Sequence, residues 1–238
     1  MNFPKSLLIA FLVILSLHTS GQILNGGRIE ESDLSDWSSN DISEFFGVYK
    51  FSDNIQSKVI FRVMGFQNSI IVQVESYYKY EANMDWDHNF MNLNNPRIDL
   101  DGTFSCDEFK GKFLNYRGFG LEKNVLKINE AFTFFDDQVY ELGSRIGNTN
   151  YKLKGRFTEA STELLNPKEL YKMSSTDLKL MRNEIFARYG YKFKPGGEMD
   201  SYFSRQSWYK PEFTDVNKYL TALERYNIEL IRTEEQRP

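Results

Sequence analysis

The chain has 238 residues, 41% hydrophobic and 26% charged, with 29 basic against 33 acidic side chains and a net charge of -4. Three Trp, fourteen Tyr and twenty Phe beside only six Pro and fifteen Gly exclude a collagen-like, low-complexity or disordered chain. The mild acidic balance, with both signs spread along the sequence, excludes the basic footprint of a nucleic-acid-binding protein, and the length allows one or two domains.

Residues 1–21 read as a secretory signal peptide. Lys5 gives a short positive start, Leu7 to Leu17 is an apolar run broken only by Ser16, and Thr19-Ser20-Gly21 places small residues ahead of Gln22. A membrane anchor needs roughly 18 to 20 apolar residues, more than this run supplies. The expectation is cleavage near Gly21 and an exported protein, periplasmic or extracellular. No Cys follows the run, so a lipid anchor on a cysteine is not available, and no later stretch is apolar enough for stable membrane insertion after signal removal.

Cysteine and histidine counts remove further chemistry. Cys106 is the only Cys, so no internal disulfide forms and the core alone must hold the fold. Its setting in Thr103-Phe104-Ser105-Cys106 is apolar and alternating, which favours a buried small hydrophobe over a reactive thiol. With His18 lost in the signal, His88 is the last histidine, too few for a zinc site. No cofactor is expected.

Residues 22–44 are polar and rich in Ser, Asp, Asn and Glu, and read as a flexible leader. From residue 45 to about 160 apolar residues recur at spacing two: Val59, Phe61 and Val63; Ile70, Val72 and Val74; Ile98 and Leu100; Leu126 and Ile128; Tyr151, Leu153 and Gly155. Turn chemistry separates them at Gly65 to Asn68, Asn92 to Pro96, Asp101-Gly102, Gly118 to Gly120 and Gly143 to Asn150. About eight short strands without intervening helices predict an antiparallel β domain, closed as a barrel or a sandwich. The meander opening at Gly47-Val48-Tyr49 is similar to lipocalin-like barrels, and that resemblance implies a cavity for a hydrophobic ligand.

At Leu164 the period changes to that of helices, so the fold class is α+β. Ser174-Ser175-Thr176 offers N-caps, Leu178 to Tyr189 is helical, and Gly190 closes the helix. Leu178, Met181, Ile185, Phe186 and Tyr189 share one arc, with Arg182 inside it. A second long helix is expected from about Val216 to Glu235, with Asn227 near the middle of its apolar arc and Glu224 at the edge. These wheels predict that the two helices pack together, that Arg182 pairs with Glu224, and that Asn227 bonds backbone groups of the Tyr191 to Trp208 connection.

Leu178, Met181-Arg182-Asn183-Glu184-Ile185-Phe186-Ala187-Arg188-Tyr189-Gly190-Tyr191, Phe193, Tyr202-Phe203, Trp208-Tyr209, Pro211, Glu224 and Asn227-Ile228 resemble the YARHG domain over about residues 164–235. Two motif letters differ, with Phe186 in place of Tyr and Tyr189 in place of His. The resemblance implies an extracellular bacterial domain, seen in lipoproteins and beside peptidase and other modules, to which no activity is attached.

The binding candidates are Arg182, Asn183, Glu184, Arg188, Trp208, Tyr209, Glu224 and Asn227, since an Arg beside a carboxylate can clamp an anion. A structural role is favoured for them: Glu184 and Arg188 are four apart in the helix-supporting order, and a charge on an apolar arc needs an internal partner. Tyr189 removes the one motif side chain suited to proton transfer near neutral pH. Asp85-Trp86-Asp87-His88 holds metal-ligand types and His88 could pair with Cys106, but the segment reads as an exposed connection. Asp99-Leu100-Asp101-Gly102 opens like a calcium loop and then departs from it, which leaves a strand turn. The reading is therefore a non-enzymatic binding or scaffolding protein of the bacterial cell envelope, whose partner is an envelope protein, glycan or lipid and not nucleic acid. A carrier of a small apolar ligand and an envelope hydrolase stand as alternatives.

Overall fold

A computed structural model describes residues 23–237, apart from 25–26, 54–56, 79–86, 119, 130–139 and 148–152. The expected signal peptide, Asp85 and Trp86 lie outside the described residues. Strands β1 (Ile23–Leu24) and β2 (Gly27–Arg28) pair with each other. Ten further strands form one sheet: β3 (Leu34–Asp36), β4 (Gly47–Asp53), β5 (Ser57–Phe66), β6 (Ser69–Tyr78), β7 (Asp87–Asn92), β8 (Arg97–Ile98), β9 (Thr103–Ser105), β10 (Lys110–Gly118), β11 (Leu121–Ile128) and β12 (Glu141–Ile146). All its pairings are antiparallel, in the order β7-β6-β5-β4-β12-β11-β10-β9-β8, with β3 added beside β10. The sheet curls into a half-barrel, with β7 and β8 as its two edges.

Alternation decides which side chains enter the concave face. On β5, Val59, Phe61 and Val63 are buried inward, and on β6 Val72 and Val74 join them. Aromatic rings fill the space: Phe45 stacks on Phe113 with centroids 5.0 Å apart, and Trp37, Tyr49 and Phe104 meet the same Phe113 ring. Phe51 and Phe61 are in contact at 4.5 Å. Rings of this size contribute about 2 to 3 kcal/mol each on burial, with roughly 0.5 to 1.5 kcal/mol more for well-placed pairs.

Four sequence expectations need correction here. Within the expected leader, residues 29–44 take up regular structure: Glu31–Asp33 and Ile42–Phe45 form 3-10 turns, β3 bonds to β10, and Ile29 is buried. Backbone pairing holds this polar segment, and composition carries no signal of that. Gly143 lies inside β12, opposite Leu126, rather than in a turn, and the strand needs glycine there because a Cβ would come within 2.4 Å of the Phe51 ring. Leu100 is exposed in the β8–β9 turn, where Gly102 has a φ of +82° and Asp101 accepts the Thr103 N–H at 2.9 Å. Leu153 and Gly155 are not in a strand but lead into the helical part, and Tyr151 lies outside the described residues.

The helical part contains α1 (Pro167–Leu170), α2 (Ser175–Arg188), α3 (Glu198–Phe203) and α4 (Ala222–Glu235), with 3-10 turns at Thr158–Ser161 and Asn217–Tyr219. Ser174 caps α2 by accepting the Asp177 N–H at 3.0 Å, and Gly190 beyond its end has a φ of +72°. The second long helix begins at Ala222 instead of Val216. Thr221 and Glu224 close a capping box there, after a backbone break at Leu220, which is extended. As expected, α2 packs on α4, over a core that includes Leu178, Met181, Ile185, Phe203, Ile228 and Ile231. Phe90 of β7 belongs to this same core, so one edge of the sheet is buried against the helices.

Candidate functional site: the cleft between sheet and helices

The convex face of β5, β6 and β7 forms a floor whose layout follows from the strand register. Lys58, Tyr77 and His88 make one cross-strand row; Ile60, Glu75 and Phe90 the next; Arg62, Gln73 and Asn92 the third. The third row is welded to the helical part. The Gln73 amide donates to Tyr219 O at 2.7 Å, the Asn92 amide donates to Leu220 O at 3.1 Å, and an Arg62 guanidinium N–H donates to Gln73 Oε1. In the middle row Phe90 packs edge-on against Tyr189, with centroids 4.6 Å apart. The first row lies at the open end.

Tyr189 is the pin of this joint. It is fully buried, its hydroxyl donates to Glu224 Oε2 at 2.7 Å, and it accepts the Gln73 amide at 3.1 Å. Burial, and then the neighbouring Glu224 carboxylate, raise its phenol well above the ordinary range. Glu224 Oε2 also accepts the Thr221 N–H at 2.8 Å and the Thr221 hydroxyl at 3.0 Å. One buried carboxylate thus serves as helix cap and as anchor for the tyrosine that reaches the sheet.

The other candidates sort by what they touch. Glu184 accepts the N–H groups of Arg156 and Phe157 at 2.8 and 2.7 Å and pairs with Arg188 at 2.5 Å. Arg188 donates in addition to Lys154 O, Phe157 O and Ser161 Oγ, each at 2.7 Å. Desolvation lowers its pKa, against the opposing pull of Glu184 and Glu224. Asn183 bonds back to Lys179 O at 2.8 Å, and the Tyr209 hydroxyl donates to Tyr191 O at 2.7 Å. Trp208 is half-buried and lines the cleft.

Two expected pairings are replaced by others. Arg182 meets Glu235, at 2.9 Å, and not Glu224, because the Thr221 cap and Tyr189 already occupy that carboxylate. Asn227 is completely buried and bonds backbone as expected, but the backbone is that of residues 160–165: it accepts Leu165 N–H at 3.1 Å and donates to Ala160 O and Glu163 O at 3.0 and 2.7 Å.

Between floor and helices lies a cleft of about 490 Å³, within the range of small-ligand sites. Residues at four of the five motif positions, Ala187, Arg188, Tyr189 and Gly190, line its roof with Trp208, Lys210 and Glu212, while Leu153 and Lys154 close one side. On the floor, Glu75 accepts the Tyr77 hydroxyl at 2.8 Å and sits 3.2 Å from His88 Nε2, and the His88 and Tyr77 rings stack at 3.9 Å. His88 therefore stands on the convex face, whereas Cys106 packs against the concave core, its thiol pushed up to about 11 by burial. The strand separates the two residues that thiolate chemistry would have to unite. Among the described residues, no group of three His, Cys, Asp or Glu could hold a metal ion.

Sequence reasoning missed Arg62, Gln73, Glu75, Lys154 and Lys210. The sequence carried no signal for the first three: polar side chains that alternate with apolar ones on a strand read as solvent-facing, yet Arg62, Gln73 and Glu75 are 5%, 0% and 9% exposed. Burial of that face requires a second layer, which the helical part supplies.

A curled antiparallel sheet covered on one flank by a small helical unit defines a two-part α+β protein with its cleft at the junction. The helical unit is a YARHG domain, whose family model matches residues 155–236. The match begins ahead of the motif-bearing helix because Gly155 to Ser161 are tied to Glu184 and Arg188. No curated protein and no solved structure gives a significant match. Among the described residues no helix is long and apolar enough to cross a membrane.

Proposed function

We propose that this is an exported, non-catalytic binding or scaffolding protein of the bacterial cell envelope. The observation that carries the reading is the engagement of the motif itself. Glu184, Arg188, Tyr189 and Glu224 hold the helical domain together and clamp it to the sheet, so the family signature works as a joint that fixes the cleft. Preorganisation of this kind serves recognition, since a rigid site avoids ordering costs on binding. The filled concave face supports scaffolding over carriage of an apolar ligand, because Phe45, Phe61, Phe104 and Phe113 are all 0% exposed there.

The test is affinity capture with the protein lacking residues 1–21, applied to an envelope extract, with proteins, lipids and glycans all analysed. Specific saturable retention of an envelope component supports the proposal. Chemical conversion of a retained component would overturn the non-catalytic part. Export is tested separately by mass spectrometry of the native protein: an N-terminus near Gln22 is expected, and a mature pool starting at Met1 refutes it.

A further inference from the structure

We infer that the cleft between sheet and YARHG domain is a binding site for the terminal unit of an acidic saccharide, an anionic group carried on a hydroxyl-rich ring. The inference deepens the binding role proposed above. Three features point to it. First, charge is arranged by depth. Inside the cleft Glu75 is engaged by Tyr77 and His88, and Glu224 by Thr221 and Tyr189. Among the described lining residues, Lys58, Lys154 and Lys210 are exposed at the mouth, and Glu212 is the exposed carboxylate beside them. In a protein of net charge -4, the described lining of the cleft thus carries more cations than carboxylates, which favours an anion.

Second, polar groups are mixed with aromatic surface. Trp208 on the roof supplies aromatic surface beside the polar side chains of Lys154, Lys210 and Glu212, and the stacked Tyr77–His88 pair borders the floor of the same space. Sugars present apolar C–H faces and hydroxyl donors together, and this combination matches them better than it matches a fully acidic peptide, which offers neither. Third, the cleft is closed at one end. The bonds of Gln73 and Asn92 to Tyr219 and Leu220 shut it behind the third row, so a chain cannot run through, and an end group of one or two sugar rings fits about 490 Å³.

The test uses the protein lacking residues 1–21 in calorimetric or NMR titrations at low and at 0.3 M salt. The probes are a glucuronate-terminated disaccharide, the corresponding neutral glucose disaccharide, and a triglutamate peptide. Saturable binding of the glucuronate probe is expected, weakened by salt and at least tenfold weaker for the neutral probe and for the peptide. Lys154→Glu with Lys210→Glu should weaken it at least tenfold with no change in the melting curve, since both side chains are exposed. Trp208→Ala should weaken it too, with chemical-shift changes at Tyr77 and His88 lost. Equal or tighter binding of the peptide, binding untouched by the lysine changes, or no binding of the glucuronate probe overturns the inference. An envelope partner still captured by the Lys154→Glu, Lys210→Glu variant would leave the binding role standing while removing the cleft as its seat.

Discussion

Replacing Tyr189 by Phe removes one oxygen and nothing else from the joint between the two parts of the molecule. The ring keeps its contact with Phe90, but Glu224 loses a donor at 2.7 Å and Gln73 loses an acceptor at 3.1 Å, both in fully buried surroundings. A hydrogen bond to a charged group contributes about 1.5 to 3 kcal/mol, and Glu224 retains its two bonds from Thr221, so the expected loss is about 2 kcal/mol. For a chain of 238 residues unfolding cooperatively, this lowers Tm by about 4 to 8 °C. The variant also reports on pH. The folded-state pKa of Tyr189 lies above its unfolded value of about 10, so the folded state keeps a proton that the unfolded state releases. That contribution is fully present below pH ~10 and is lost as pH rises beyond it. In Tyr189→Phe the decline of stability above pH ~10 should be shallower, though not absent, because burial raises Tyr49 as well. Thermal melts followed by circular dichroism and by Trp fluorescence from pH 7 to 11 supply both readings. An unchanged Tm at pH 7, or an unchanged alkaline slope, refutes the assignment of Tyr189 as the pin.

Asn227→Leu keeps the branched shape but orphans Leu165 N–H, Ala160 O and Glu163 O; urea denaturation should show a loss of about 3 kcal/mol or more. Arg182→Ala, by contrast, breaks only a partly exposed pair with Glu235, so the same assay should register about 1 kcal/mol or less. Gly155→Ala should impair folding of the helical part, seen as reduced helical ellipticity. The residue has a φ of +110°, and a Cβ would come within 2.3 Å of the Glu184 carboxylate.

The contrast between Arg182 and Asn227 shows what a sequence can and cannot report. A helical wheel placed both on inward faces, and α2 does pack on α4. It says nothing about which residue stands opposite, and Arg182 reached Glu235 because Glu224 was already engaged by its own helix terminus. The Thr221-x-x-Glu224 spacing before an apolar run announced that engagement and, read as a capping box, would have excluded the pair. Strands of β5 and β6 were legible because one face is apolar, and Val59, Phe61 and Val63 alternate with Lys58, Ile60 and Arg62. The cleft was not legible, since its floor and roof come from segments more than a hundred residues apart, such as Gln73 and Tyr189, and no local pattern encodes their meeting.

The pairing of β4 with β12 has a kinetic consequence. These two strands sit side by side in the middle of the sheet, with Tyr49 opposite Arg145, yet almost the whole β region separates them along the chain. The hairpin of β5 and β6 closes through a two-residue turn and needs only local encounters, whereas the β4–β12 seam must search across a long loop. Until β12 is available, β4 and β11 each lack the partner strand that joins them in the centre of the sheet. A chain emerging from its N-terminus therefore passes through a stage prone to edge-to-edge association, and substitutions in β12 should lower yield through aggregation during folding more than they lower the stability of molecules that finish.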